Sequence, residues 1–207
     1  MMSQDGVSKG AIFIVDDDVD VRTVLSAMFT RNGYVVTALA DGPSLIKAAR
    51  GQTPACILLD VYMPGRSGLD VLKELNADEY AAPILMMSGQ GDIPMAVEAL
   101  KNGALDFIEK PFDSETVLTR VQEAIDAWVR RRSNVGTSKI RASRFPGREL
   151  LTQREIDVLD QISIGASSKE AARQMGISFR TVEVHRSRIM EKLGAKNSVD
   201  LMRIVLS

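Results

Sequence analysis

Five short runs of apolar and branched residues recur between positions 11 and 108, and a stretch of helical periodicity separates each from the next. This alternation constrains the fold more than any other feature of the chain. The strands are expected near 11–15, 34–38, 55–60, 84–88 and 105–108, and the helices near 19–31, 43–50, 68–76, 93–102 and 114–130. Asn32-Gly33 and Asn102-Gly103 supply helix stops, and Pro83 precedes a strand. Strands joined by helical crossovers run parallel, and right-handed crossovers place helices on both faces of the sheet. The expected fold class is therefore α/β, a doubly wound five-stranded parallel sheet, with a second, smaller all-α domain after it.

The ends of these runs carry the chemistry. Ala11-Ile12-Phe13-Ile14-Val15 runs into Asp16-Asp17-Asp18, and Ala55-Cys56-Ile57-Leu58-Leu59 into Asp60. The fourth run ends in Ser88, and the fifth leads to Lys110-Pro111. In a parallel sheet the carboxyl ends of the strands share one edge, where ligands bind. Carboxylates gathered there repel unless something neutralises them, and a hard divalent cation with oxygen ligands, Mg2+ above all, suits that task. Asp60 is the candidate nucleophile: a carboxylate oxygen can attack a phosphoryl phosphorus to give an acyl phosphate. Catalysis of that transfer is mainly positioning and charge neutralisation. Asp18 and Asp20 precede or open a helix, where capping is the expected role.

The second half differs in charge. Residues 1–132 hold 13 Lys and Arg against 19 Asp and Glu, a net −6; residues 133–207 hold 13 against 8, a net +5. An excess of cations in the second half suits nucleic acid. Cys56 is the single cysteine, so no internal disulfide forms, and its strand position suggests a small buried hydrophobe in a reducing compartment. No run approaches the ~18–20 apolar residues of a membrane span, and no charged start leads into an apolar stretch. The expected location is cytoplasmic, with no membrane partner.

Beyond a linker expected at 133–148, residues 151–206 suggest four short helices. Thr152 with Glu155 and Ser167 with Glu170 are capping boxes, and Gly176 breaks the chain as a helix-turn-helix requires. The third helix should run from about Phe179 to Leu193. On a 100° wheel Val182, His185, Arg186, Ile189 and Leu193 share the core side, with Arg186 at its edge. Arg180, Glu183, Val184, Ser187, Arg188 and Glu191 lie opposite, with Thr181 and Lys192 toward one flank. An outward Val184 suits a thymine methyl and Glu183 a cytosine amino group, whereas Arg180, Arg188 and Lys192 suit phosphates. His185, the only histidine, lies on the core side as a packing residue. The last helix should present Val199, Met202 and Val205 on one side, for pairing with its twin in a dimer on a two-fold site or for packing on its own domain.

Val15-Asp16-Asp17, Asp60-Val61-Tyr62-Met63-Pro64-Gly65, Ser88-Gly89 and Lys110-Pro111-Phe112, in that order and spacing, resemble the receiver domain of two-component response regulators. Thr181-Val182-Glu183-Val184-His185 resembles the recognition helix of the FixJ/NarL group, whose effector is a LuxR-type helix-turn-helix. The resemblance implies a flavodoxin-like receiver at 1–132, a linker at 133–148 and a DNA-binding domain at 149–207. It implies Mg2+ held by Asp16, Asp17, Asp60 and the backbone carbonyl of Tyr62, with Asp16 acting partly through water. Lys110 and Ser88 would contact phosphoryl oxygens, Ser88 and Phe107 would form the switch, and Lys110-Pro111 would be cis. Tyr62 and Gln90 occupy positions that tune dephosphorylation. The implied partners are a sensor histidine kinase, promoter DNA, RNA polymerase and, once phosphorylated, a second copy of the chain. The implied protein is a regulator, not an independent enzyme. The rival expectation is a DNA-binding protein whose receiver is a phosphate-blind interaction module.

Overall fold

Branched side chains that suit a buried pleat line the strands of the first half. In the computed structural model these are β1 (Ala11–Val15), β2 (Val35–Leu39), β3 (Cys56–Asp60), β4 (Ile84–Ser88) and β5 (Asp106–Glu109). The structure describes residues 8–77, 80–89, 93–133, 140 and 144–206; Gln90 and most of the expected linker lie outside them. The strands pair in parallel in the order β2-β1-β3-β4-β5. Every residue of β1, β3 and β4 is buried, as strands covered on both faces must be. The edge strand β2 is partly exposed. Register places Val15 beside Leu59, and Asp60 beside Met87, so the polar ends of β1, β3 and β4 emerge together.

The helices are α1 (Val19–Arg31), α2 (Gly42–Gly51), α3 (Gly68–Leu75), α4 (Ile93–Lys101) and α5 (Ser114–Ser133). Caps written into the sequence set several starts. Asp18 accepts from the Asp20 amide at 2.8 Å to open α1, Asp41 accepts from the Ser44 amide to open α2, and Ser67 with Asp70 forms a capping box on α3. Leu25 and Phe29 bury the inner face of α1, each contributing roughly 1.5–3 kcal/mol by leaving water. Gly68 is required by close approach: a Cβ there would meet the Asp60 carbonyl oxygen at 2.1 Å. The absence of a side chain lets α3 start directly against the end of β3.

Packing divides the chain into Met1–Ile125 and Asp126–Ser207, a division that falls inside α5. In the second unit a 3-10 turn (Arg148–Leu150) precedes α6 (Gln153–Ser163), α7 (Ser168–Met175), α8 (Phe179–Leu193) and α9 (Ser198–Leu206). Capping boxes at Thr152/Glu155 and Ser167/Glu170 open α6 and α7. Gly176, at φ 63°, makes the left-handed turn between α7 and α8. Ile156, Leu159, Ala171, Val182, Ile189 and Leu201 form the core, with α8 against each of the other three helices. Val205 is buried in this core, whereas Val199 is 80 % exposed. Val205 therefore does not share an outward side with Val199, because α9 needs an apolar anchor one turn beyond Leu201.

Candidate phosphoryl site and nucleic-acid interface

The parallel sheet delivers the expected groups to one edge. Asp16 and Asp60 are buried at the ends of β1 and β3, and Asp17 is exposed beside them. One oxygen from each of the three carboxylates lies within 4.8 Å of the others. Oxygens bound at about 2.1 Å to an octahedral Mg2+ lie roughly 3–4 Å apart. That spacing is compatible with such an ion, and the all-oxygen chemistry of the trio suits a hard cation.

Lys110, just beyond β5, donates to Asp60 Oδ1 at 2.6 Å and to Asp16 Oδ2 at 2.7 Å. Its backbone amide donates to the Ser88 carbonyl at 2.6 Å, which fixes the base of the side chain to the end of β4. Burial acts to lower the Lys110 pKa, but the bonds to Asp16 and Asp60 outweigh it and hold the ammonium above its ordinary value. Burial pushes the Asp60 carboxyl up, with the Lys110 bond opposing. Ser88 is buried and its hydroxyl donates to the Gly89 carbonyl at 3.2 Å. Phe107 is half-buried on β5, Tyr62 is 55 % exposed, and the Lys110-Pro111 peptide is cis.

One participant was not anticipated from sequence. Arg22, on the second turn of α1, donates to the Asp16 carbonyl at 2.6 Å, and the Asp18 amide donates to Asp16 Oδ1 at 3.0 Å. Both bonds shape the turn that carries Asp16 and Asp17. A cation one turn into a helix that follows three acids is the only sequence hint of it.

In the second unit α8 turns Val182, His185 and Ile189 inward, with Arg186 at the edge of that side. Arg180, Glu183 and Ser187 are exposed, and Val184 and Arg188 are half-buried. Two placements differ from the wheel. Thr181 is fully buried, its hydroxyl 2.7 Å from that of the Ser178 cap, so its side chain is not on a free flank. The first turn of a capped helix draws a short hydroxyl toward the cap. Lys192 donates to Glu155 Oε2 at 2.7 Å, and Glu155 is 1 % exposed. A buried carboxylate needs a counter-charge, so Lys192 serves α6 instead of standing free for a phosphate.

Glu183 is also engaged. It accepts from the Ser168 hydroxyl, and Arg186 lies 3.9 Å from the same carboxylate oxygen. Arg186 donates onward to Ser168 Oγ at 3.3 Å and to Ser198 Oγ.

A parallel α/β domain with an acidic edge, a bridging lysine and a buried serine, followed by a helix-turn-helix, defines a class: receivers coupled to DNA-binding effectors. Comparison with known proteins agrees. Residues 12–122 match the response regulator receiver domain, and residues 149–205 match the bacterial regulatory proteins of the luxR family. The transcriptional regulatory protein FixJ of Bradyrhizobium diazoefficiens is 36 % identical over 199 residues, 96 % of each chain. The FixJ protein of Azorhizobium caulinodans is 37 % identical, over 94 % of this chain and 91 % of its own. The crystal structure of full-length FixJ from B. japonicum superposes with a TM-score of 0.55 at 35 % identity, covering 97 % of both chains. The chain belongs to the two-component transcriptional response regulators that join a receiver to a LuxR-type DNA-binding domain. Among the described residues, no helix is long and apolar enough to cross a membrane.

Proposed function

We propose that Asp60 accepts a phosphoryl group from a sensor histidine kinase and that this controls promoter binding by the second unit. An Asp60 oxygen attacks phosphorus, an oxygen–phosphorus bond forms, and the phosphorus–nitrogen bond to the kinase histidine breaks. Asp16, Asp17, Asp60 and the Tyr62 carbonyl would hold Mg2+, which supplies charge neutralisation at the phosphoryl oxygens. Lys110 and Ser88 would each take a phosphoryl oxygen. The observation that carries this reading is the Lys110 ammonium, bonded at once to Asp60 and Asp16 across the ends of three strands.

A phosphoryl group replaces one charge by about −1.5 to −2 and brings new acceptor oxygens. Ser88 moving from its Gly89 bond toward those oxygens, with Phe107 turning inward, is the proposed switch. The output is dimerisation, binding to a two-fold promoter site through Arg180, Glu183, Val184, Ser187 and Arg188, and action on RNA polymerase in the cytoplasm. For the receiver we take residues 1–132, for the linker 133–148 and for the effector 149–207. Thr181 is left out of the DNA-contact set because its side chain is fully buried, and Lys192 because it neutralises the buried Glu155 carboxylate.

The test is labelling by acetyl phosphate with Mg2+, paired with the mass of the protein in solution before and after beryllofluoride. Asp60→Asn should abolish labelling and any shift to a dimer. Labelling that persists in this variant refutes the nucleophile assignment. Failure of the wild type to bind beryllofluoride at all would favour the phosphate-blind rival.

A further inference from the structure

We infer that Ser168 and Arg186 are positioning residues for base recognition, holding the Glu183 carboxylate for the exocyclic amino group of a cytosine in the major groove. The inference rests on the reading of α8 as the helix that enters that groove. Glu183 projects from the exposed side of α8, yet its Oε1 accepts a hydrogen bond from Ser168, the first residue of α7. Arg186, one turn along α8, lies 3.9 Å from that same oxygen. Its Nη1 donates to Ser168 Oγ at 3.3 Å, and its Nη2 donates to Ser198 Oγ, at the first residue of α9. The hydroxyl of Ser168 is thereby used in both senses, accepting from Arg186 and donating to Glu183. Three helices fix one carboxylate.

The arrangement answers two difficulties of an acid on a DNA-facing helix. A long, exposed side chain samples many rotamers, while reading one amino group requires an acceptor of defined direction. A carboxylate near phosphates is also repelled, and the Arg186 guanidinium offsets that charge locally. With Oε1 committed to Ser168, the Glu183 side chain is still 45 % exposed. That leaves Oε2 as the acceptor for a base. Pairs this exposed contribute little to stability, so the network is expected to act on discrimination. Ser168 is not the helix cap either: Ser167 caps α7 and bonds Glu170.

The experiment uses the full-length chain with beryllofluoride and Mg2+ present, and a duplex selected from a random library by binding. Affinity is then measured for every single base-pair substitution of that duplex and for random duplex. Glu183→Gln should identify the base pair it reads. Ser168→Ala should reduce discrimination at that same base pair by roughly tenfold relative to random duplex. Arg186→Gln should do likewise, and Ser168→Thr, which keeps the hydroxyl, should restore it. Equal weakening on all duplexes would make the network merely structural and overturn the inference. So would a Glu183→Gln variant with unaltered base preference, or Ser168→Ala with full discrimination. If the wild type selects no duplex, the DNA-binding reading itself fails, a result distinct from the others.

Discussion

His185 gives the most quantitative handle on the effector, because the chain has no other histidine and this one is 2 % exposed on the inner side of α8. Its Nδ1 meets no hydrogen-bond partner among the described residues. Burial lowers its pKa from 6.5 to about 4; Glu155 and Asp157 oppose the shift, while Arg188 and Arg154 add to it. At pH 7 the imidazole is neutral both folded and unfolded. As pH falls below 6.5 only the unfolded chain takes up the proton, so stability declines until the folded pKa near 4 is passed, and then levels off. At 1.36 kcal/mol per pH unit the loss is about 3 kcal/mol in all. Two measurements check this. The single imidazole resonance in NMR should titrate near pH 4 in the native protein. Unfolding of the second unit, followed through the only tryptophan, Trp128, whose ring packs 4.6 Å from the Arg154 guanidinium, should show a pH dependence that His185→Gln lacks by about that amount. A native midpoint near 6.5, or identical pH slopes in the two proteins, would refute the buried-neutral account.

Four further substitutions separate function from packing. Gly68→Ala puts a methyl against the Asp60 carbonyl, which is backbone and cannot yield cheaply; destabilisation of about 1–3 kcal/mol in urea, with weaker beryllofluoride uptake, is expected. Arg180→Gln should lower the slope of log affinity against log salt by about 0.9, one phosphate contact, whereas Lys192→Gln should leave that slope unchanged and lower the unfolding midpoint. Val184→Ala should weaken cognate binding more than random binding, by ~1–3 kcal/mol if it meets a thymine methyl; equal loss on both would mark it as packing.

The receiver was largely legible in the sequence because its determinants are local or fixed by topology. Caps such as Asp18 and Ser67 act within three residues, and a parallel sheet brings the ends of β1, β3 and β4 together whatever the loops contain. The cis Lys110-Pro111 peptide followed from the resemblance alone. The effector was legible where periodicity governs, at Val182, His185 and Ile189. It was not legible where a second helix decides. No pattern links position 192 with 155, or 183 with 168, since those pairs depend on how α8 lies on α6 and α7. The Glu155 capping box was readable, but its burial was not, and that burial draws Lys192 away from the outer side of α8. Arg22 was not legible for a different reason: its acceptor is a backbone oxygen, which no side-chain pattern marks.

If phosphorylation of Asp60 controls DNA binding, the Lys192–Glu155 pair limits how it can do so. Besides Lys192, which is paired to Glu155, the outer side of α8 carries Arg180 and a half-buried Arg188, with Glu183 and Glu191 among them. Each phosphate contact contributes about 0.9 to the salt slope. One effector acting through α8 alone should therefore show a slope near −2 and bind weakly. Two effectors held in one dimer engage two half-sites, and the second binding event becomes intramolecular. If dimerisation is the output of the receiver, beryllofluoride should roughly double the salt slope on a two-fold site, to near −4, while leaving the slope on a single half-site unchanged. Tighter binding at an unaltered slope would instead mean that activation works on a single chain, by making its effector available to DNA.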